Sequence, residues 1–390
     1  MKRIVYAAAA LALAACAGPP STPDSGRGYL AVSANDNKVV LEKGTVKVVP
    51  NATPDTVALI DLRASPPRIV AEFDAPTSVV GPPPSVAVAP DESIALVTAA
   101  MKVLPADPSR QVPDNRLSVI DLTGSPPKVI AVLPAGAGAA GVSINRAGTL
   151  ALVANRNEGT VSVFTIAGKT VTAAGKVPVG EANSGPSHVV ISPDGKTALV
   201  TRDADHKISV LTIDGATVAY AKRDLNAGLR PYGIDICAPG AIAVVANIGI
   251  GQGDEDTISV IDLQANPWRV IDTITVGQTP EGLICSPDGR LVAVTAMSGS
   301  NKPPDSPFYR ANGRVVVFKV EGKKLTKFAE GDVGNWSQGA AFSPDGRLLP
   351  VQNMVQKDIQ VFEVGPFGLR DTGQRIKPKG GPAGIRTATP

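Results

Sequence analysis

The chain has 390 residues, a net charge of +3, two histidines and three cysteines. A balance so near neutrality argues against a general nucleic-acid binder, which carries a marked basic excess, and two histidines cannot furnish a typical zinc or copper site. No Cys-x-x-Cys-His haem segment, Gly-x-Ser-x-Gly elbow or phosphate-binding loop is present, so neither a cofactor nor a metal is expected.

Lys2 and Arg3 open the chain, an apolar run covers 4–15, and Cys16 follows. A charged start before a short apolar run is a secretory signal, and a permanent transmembrane helix needs about 20 apolar residues. Leu13-Ala14-Ala15-Cys16 resembles the lipobox of bacterial lipoproteins, which implies cleavage after residue 15 and lipidation of Cys16. Ala17, in place of Asp, resembles lipoproteins passed on to the outer membrane. The expectation is a protein on the periplasmic side of that membrane, touching it only through the lipid. Residues 16–27 are rich in Pro, Gly and Ser and read as an extended tether.

From residue 28 to 390 the chain is built from repeats. PPSVAVAPDESIALVT begins at Pro83, and PSHVVISPDGKTALVT at Pro186. PEGLICSPDGRLVAVT begins at Pro280, and QGAAFSPDGRLLPVQN at Gln338. Weaker copies start near Ala139 and at Pro231. The spacing of roughly 45–57 residues is that of propeller blades. Each repeat parses into four short strands, with Pro-Asp-Gly forming the first turn. Regular short strands between Gly/Pro turns predict an all-β chain, and the long period predicts a propeller. Six blade starts are visible. Segments 29–35, 56–62 and 69–74 match strands two to four with no first strand, and 382–390 match a first strand with nothing after it. The two ends therefore complete a seventh blade, closing the ring and hiding its edges.

The segments ALVANRNEGTVSVF at 151–164, VPVG at 177–180 and PSHVVISPDG at 186–195 resemble the YVTN-type propeller repeat. The wider superfamily includes propeller lactonases related to 6-phosphogluconolactonase. Tyr-Val-Thr-Asn itself is never intact, so the resemblance implies architecture more firmly than activity.

Insertions at 35–54, 99–115, 248–256 and 297–313 all fall between strands two and three. Decoration of one face of a repeat array marks the binding face. Alignment of the repeats puts Pro84, Ala140, Ser187, Tyr232, Glu281, Gln338 and Ala383 at the channel mouth on that face. The next ring is Ser85, Gly141, His188, Gly233, Gly282, Gly339 and Gly384. His188 breaks the glycine pattern, either filling the channel or facing a ligand. Second strands end on the same face at Asn155, Arg202, Asn247 and Asn353. Asn at such a place also caps turns. Arg202 and Arg230 are candidates for an anionic ligand. Trp336 is either a rim aromatic or blade packing. Asp254, Glu255 and Asp256 read as a solvated acidic loop, with Ca²⁺ the alternative. Cys237 and Cys285 end apolar strands in neighbouring repeats and are expected as buried thiols, although an exported protein permits a disulfide.

No catalytic constellation stands out. The expected function is a monomeric, non-catalytic binding module that holds an envelope protein or polymer on its decorated face. Phe308, Tyr309, Val103 and Leu104 could supply an apolar patch there. The alternative is a lactonase-like hydrolase or small-ligand binder at the channel mouth. In that reading Glu281 or His188 is the base and Arg202 or Arg230 steadies the oxyanion.

Overall fold

The computed structural model describes residues 29–104 and 107–389. The signal segment, Cys16 and the tether lie outside the described residues. Seven four-stranded antiparallel sheets form the blades of a propeller. Their inner strands, from blade one to blade seven, are Val86–Val88, Ala139–Ile144, Pro186–Ile191, Pro231–Cys237, Pro280–Cys285, Ser337–Ala340 and Gly381–Arg386. In blade seven the last of these pairs with Leu30–Asp36, for example Ser33 with Ile385. Both ends of the chain thus share one sheet, and the ring closes as the repeats require. No described helix is long and apolar enough to cross a membrane.

Sequence chemistry sets each layer of a blade. Second strands such as Leu150–Asn155 are buried throughout, because neighbouring blades cover both their faces. Outer strands such as Lys128–Pro134 alternate exposed and half-buried positions, the period of a sheet with one wet face. The cores lie between blades. Leu96, Val153 and Phe164 join blades one and two. Val244, Val294 and Phe318 join blades four and five. Each such side chain contributes about 1.5–3 kcal/mol on burial.

The Ser-Pro-Asp-Gly turns are built alike in three blades. Asp194, Asp288 and Asp345 each accept from the serine two residues before, at 2.5–2.6 Å. Each also accepts from the backbone N–H two residues after, at 3.0–3.1 Å. Gly195, Gly289 and Gly346 leave the turn at φ +69°, a conformation that favours glycine. These turns stud one face of the ring.

Cys237 and Cys285 correct the expectation of free thiols. They form a disulfide between the inner-strand ends of blades four and five, with Cα atoms 5.3 Å apart. Ring closure sets neighbouring inner strands side by side, a proximity that linear spacing does not reveal.

The insertions rise on the opposite face and lean on one another. The first carries a hairpin, Val39–Glu42 with Thr45–Val48. The second prolongs the Ile94–Leu104 and Asp107–Asp121 strands beyond the blade. Val39, Val79, Met297, Trp336 and Met354 form an apolar cluster where they meet, with Leu41, Met101 and Val103 against it. The hairpin turn at Gly44 touches the backbone of Lys302 and Pro303, and Lys302 Nζ donates to the Gly251 carbonyl at 2.7 Å. The result is a canopy spanning several blades beside the mouth.

Candidate active site at the channel mouth

Two backbone devices aim side chains into the mouth. The pairing of inner with second strand slips at its start in blades two to six. A bulge of this kind bends the strand and redirects a side chain. The residue before the inner strand has positive φ in the same five blades: Gly138, Gly185, Arg230, Thr279 and Trp336. Three of them are not glycine. Backbone strain of this kind collects at functional sites.

Side chains from second strands then stitch the ring. Thr201 Oγ1 donates to the Tyr232 carbonyl at 2.6 Å, and Thr98 and Thr295 do the same for the carbonyls of Ala140 and Gln338. The glycines behind them allow the close approach. A Cβ on Gly233 would lie 2.5 Å from the Glu281 carbonyl oxygen, and one on Gly141 would lie 2.7 Å from the His188 Cα.

On this frame stand Ser187, Tyr232, Glu281 and Gln338 from four consecutive blades. Gln338 Nε2 approaches Glu281 Oε2 at 3.5 Å, and the Tyr232 phenol lies near enough to the same carboxylate to favour its charge. Burial pushes Glu281 up to about 7, against the pull of Arg156, Gln338, Tyr232 and Arg230. Burial also raises the Tyr232 hydroxyl, reinforced by the Glu281 charge, so the phenol keeps its proton.

Sequence reasoning missed Arg156 and Asp203. Arg156 lies over the Tyr232 ring, 5.3 Å from its centroid. It donates to Ser187 Oγ at 2.8 Å and Asp203 Oδ2 at 2.6 Å. Arg230 Nη2 meets the same Asp203 oxygen at 2.9 Å, and Ser187 Oγ donates to Asp203 Oδ1 at 3.1 Å. Arg156 and Asp203 each follow the last residue of a second strand, so extending that alignment by one position would have found both.

Several expected site residues serve the scaffold instead. Asn155 Oδ1 accepts from Gly136 N–H at 2.9 Å, while its Nδ2 donates to Thr160 and Ser162. Asn247 and Asn353 repeat the pattern with Gly228 and Gly334. All three are buried with their polar atoms engaged, so they are turn caps. Arg202 replaces this Asn in blade three and pairs with Asp205, Ser209 and Asp224, so its charge is balanced within its own blade. Trp336 is buried in the canopy cluster. Val103, Leu104, Phe308 and Tyr309 are only half-exposed and form no open patch, because the loops pack on one another. His188 lies below the mouth, among cavity-lining residues on the turn side. Asp256 accepts from Thr279 N–H at 2.8 Å and is pushed up to about 6 by burial and by Asp254 and Glu255. No group of three or more possible metal-ligating side chains occurs among the described residues.

Residues 116–229 match the family described as "Lactonase, 7-bladed beta-propeller". None of the curated proteins matches the chain. Solved structures share the fold at low identity. A candidate 6-phosphogluconolactonase from Bacteroides fragilis is 18% identical with a TM-score of 0.66, covering 95% of this chain and 99% of that one. A periplasmic gluconolactonase from Pseudomonas aeruginosa is 19% identical with a TM-score of 0.63, covering 93% and 100%. A functionally unknown protein from Desulfotomaculum acetoxidans is 15% identical with a TM-score of 0.67, covering 93% and 99%. The chain is a seven-bladed β-propeller, and its residues 116–229 are similar to the lactonase propeller family.

Proposed function

We propose that the protein hydrolyses a sugar lactone at the channel mouth, with Glu281 as general base. The observation that carries this reading is the Glu281 carboxyl itself. It is held near 7 beside a protonated phenol and within the field of two arginines. A base held near the working pH combines availability with proton affinity. The lactonase segment at 116–229 supports the reading, and it contributes Arg156, Ser187 and Asp203.

In the proposed reaction the Glu281 carboxylate takes a proton from water as its oxygen bonds to the lactone carbonyl carbon. Charge developing on the carbonyl oxygen is met by the Arg156 guanidinium, which Asp203 and Ser187 hold rigid. Collapse breaks the ring C–O bond, and the leaving oxygen takes the proton back from Glu281. One water and one lactone give one hydroxy acid. Tyr232 and Gln338, both buried, position the carboxylate.

The non-catalytic binding module has less support, because the lactonase match at 116–229 favours the hydrolase reading. A pH-stat assay on gluconolactone and 6-phosphogluconolactone tests the hydrolase reading. Ring opening above the spontaneous rate, slowed by about 10²–10⁴-fold in Glu281→Gln, is expected. Activity undiminished by Glu281→Gln removes the assignment, and no activity on any aldonolactone removes the reaction class.

A further inference from the structure

We propose that the channel holds a second ligand site at its turn-bearing end, shaped for a small carboxylic acid that also carries a hydroxyl or ammonium group. It is independent of the reaction at the mouth.

Beyond the glycine ring, the inner strands alternate, and every second residue faces the channel. Two steps below that ring the equivalent positions are Ala87, Ser143, Val190, Asp235, Ile284, Ala341 and Arg386. A channel that only needs filling requires neither charge, and a buried charge is costly unless well paired. Both charges line a cavity of about 120 Å³ that His188 also lines. Its apolar wall includes Val142, Val190 and Ile284, and it reaches the turn face at Pro90, Arg146 and Pro193.

The polar groups around this cavity are only part-used. Arg386 donates to the carbonyls of Ile385 and Leu283 at 3.4 and 3.3 Å, the long end of the range. Among the described residues it makes no ion pair within 4.0 Å, and the charge of Asp235 acts on it across the cavity. A guanidinium has five N–H donors, so several remain for a ligand. Asp235 accepts one backbone N–H on each oxygen, from Ile236 at 2.9 Å and Cys285 at 2.8 Å, which leaves lone pairs on both. His188 Nδ1 accepts from Ile234 N–H at 3.1 Å. The proton of the neutral ring is therefore on Nε2, a second donor.

Arg386 and His188 together suit a carboxylate, and Asp235 suits a donor on the neighbouring carbon. The size is bounded as well. A cavity of about 150 Å³ holds benzene, with six heavy atoms, so this one fits a ligand of about that number. Lactate and alanine both meet the description and stand for its two sources, hydroxy acids and amino acids.

The test is isothermal titration of the purified protein with lactate, with alanine, and with acetate, which lacks the second group. One lactate or one alanine per chain is expected, bound at least tenfold more tightly than acetate. Whichever binds identifies the source. Arg386→Gln should weaken binding at least tenfold. Asp235→Asn, used only if it keeps the wild-type melt because its NH2 opposes one backbone N–H that the carboxylate accepted, should erase the preference over acetate. Glu281→Gln should bind as wild type does. The site is overturned if a protein with the wild-type melting profile gives no saturable heat with either probe. It is equally overturned if binding is indifferent to Asp235→Asn.

Discussion

Arg156 and Arg230 converge on one oxygen: Oδ2 of Asp203 accepts from Nη2 of each, at 2.6 and 2.9 Å. The arginines come from blades two and four, and the aspartate from the blade between them. Three blades are therefore tied at a single atom at the edge of the mouth. The Asp203 side chain is 1% exposed, so both cations depend on a carboxylate that water does not screen.

Replacing Asp203 by Asn should release both arginines. Asp203 is buried but its arginines are part-exposed, so the loss is smaller than the roughly 3–5 kcal/mol of a fully buried pair broken from one side. We expect a lower melting temperature and a fall of about 10–100-fold in kcat/KM, the scale of a displaced catalytic group. Steady-state kinetics with thermal melts on Asp203→Asn checks both.

The Glu281 carboxyl links stability to pH. Its proton is held more tightly in the folded state, near 7, than the 4.5 of a free glutamic acid. Its favourable contribution is therefore complete below about 4.5 and disappears as pH rises through about 7. At pH 8 the folded protein carries a buried carboxylate, and Glu281→Gln should be more stable than wild type by about 1–3 kcal/mol. At pH 4 the two should melt alike. Denaturant titrations at both pH values decide the point.

The same group predicts the pH–rate profile. As a base, Glu281 works unprotonated, so kcat/KM should climb through about pH 7 and level off above it. In Glu281→Gln the rate should fall by about 10²–10⁴-fold and lose that inflection. A profile from pH 5 to 9 on both proteins reads this out.

Cys237 and Cys285 close a sequence separation of 48 residues. Removing a cross-link over a loop of this size costs about 2–4 kcal/mol. Cys285→Ser should lower the unfolding free energy by about that amount, read as an earlier denaturant midpoint at unchanged slope, while wild type in strong reductant should approach the variant. Equal midpoints would mean that the blades hold this junction unaided.

Ending the chain before Gly381 removes the inner strand of blade seven and bares the edge of Leu30–Asp36. We expect loss of the single cooperative melt and a tendency to associate through that edge. Calorimetry and light scattering on the truncated chain test it.

The architecture was legible because its signals are local and repeated. Ser-Pro-Asp-Gly turns and Val-Ile-Thr runs recur at one period, and the unmatched ends could be joined by counting. The mouth ring was legible in the same way: Tyr232, Glu281 and Gln338 each follow the first residue of an inner strand. The partnerships were not legible. Asn155, Asn247 and Asn353 carry a pattern that serves a turn cap as well as a ligand, and only their bonds to Gly136, Gly228 and Gly334 decide between them. Arg156 escaped notice because its partners Ser187 and Asp203 are in another blade, 31 and 47 residues away. The disulfide was hidden for the same reason.

Leu30 N–H donates to Glu92, in the first turn of blade one, and Tyr29 precedes it on that side of the ring. The first described residues thus lie on the turn face, opposite the canopy. Any attachment through residues before Tyr29 would therefore start from the turn face, with the mouth and canopy on the far side of the ring from that point. The small cavity around Arg386 reaches that same turn face, and the two ends of one channel would then sample different surroundings.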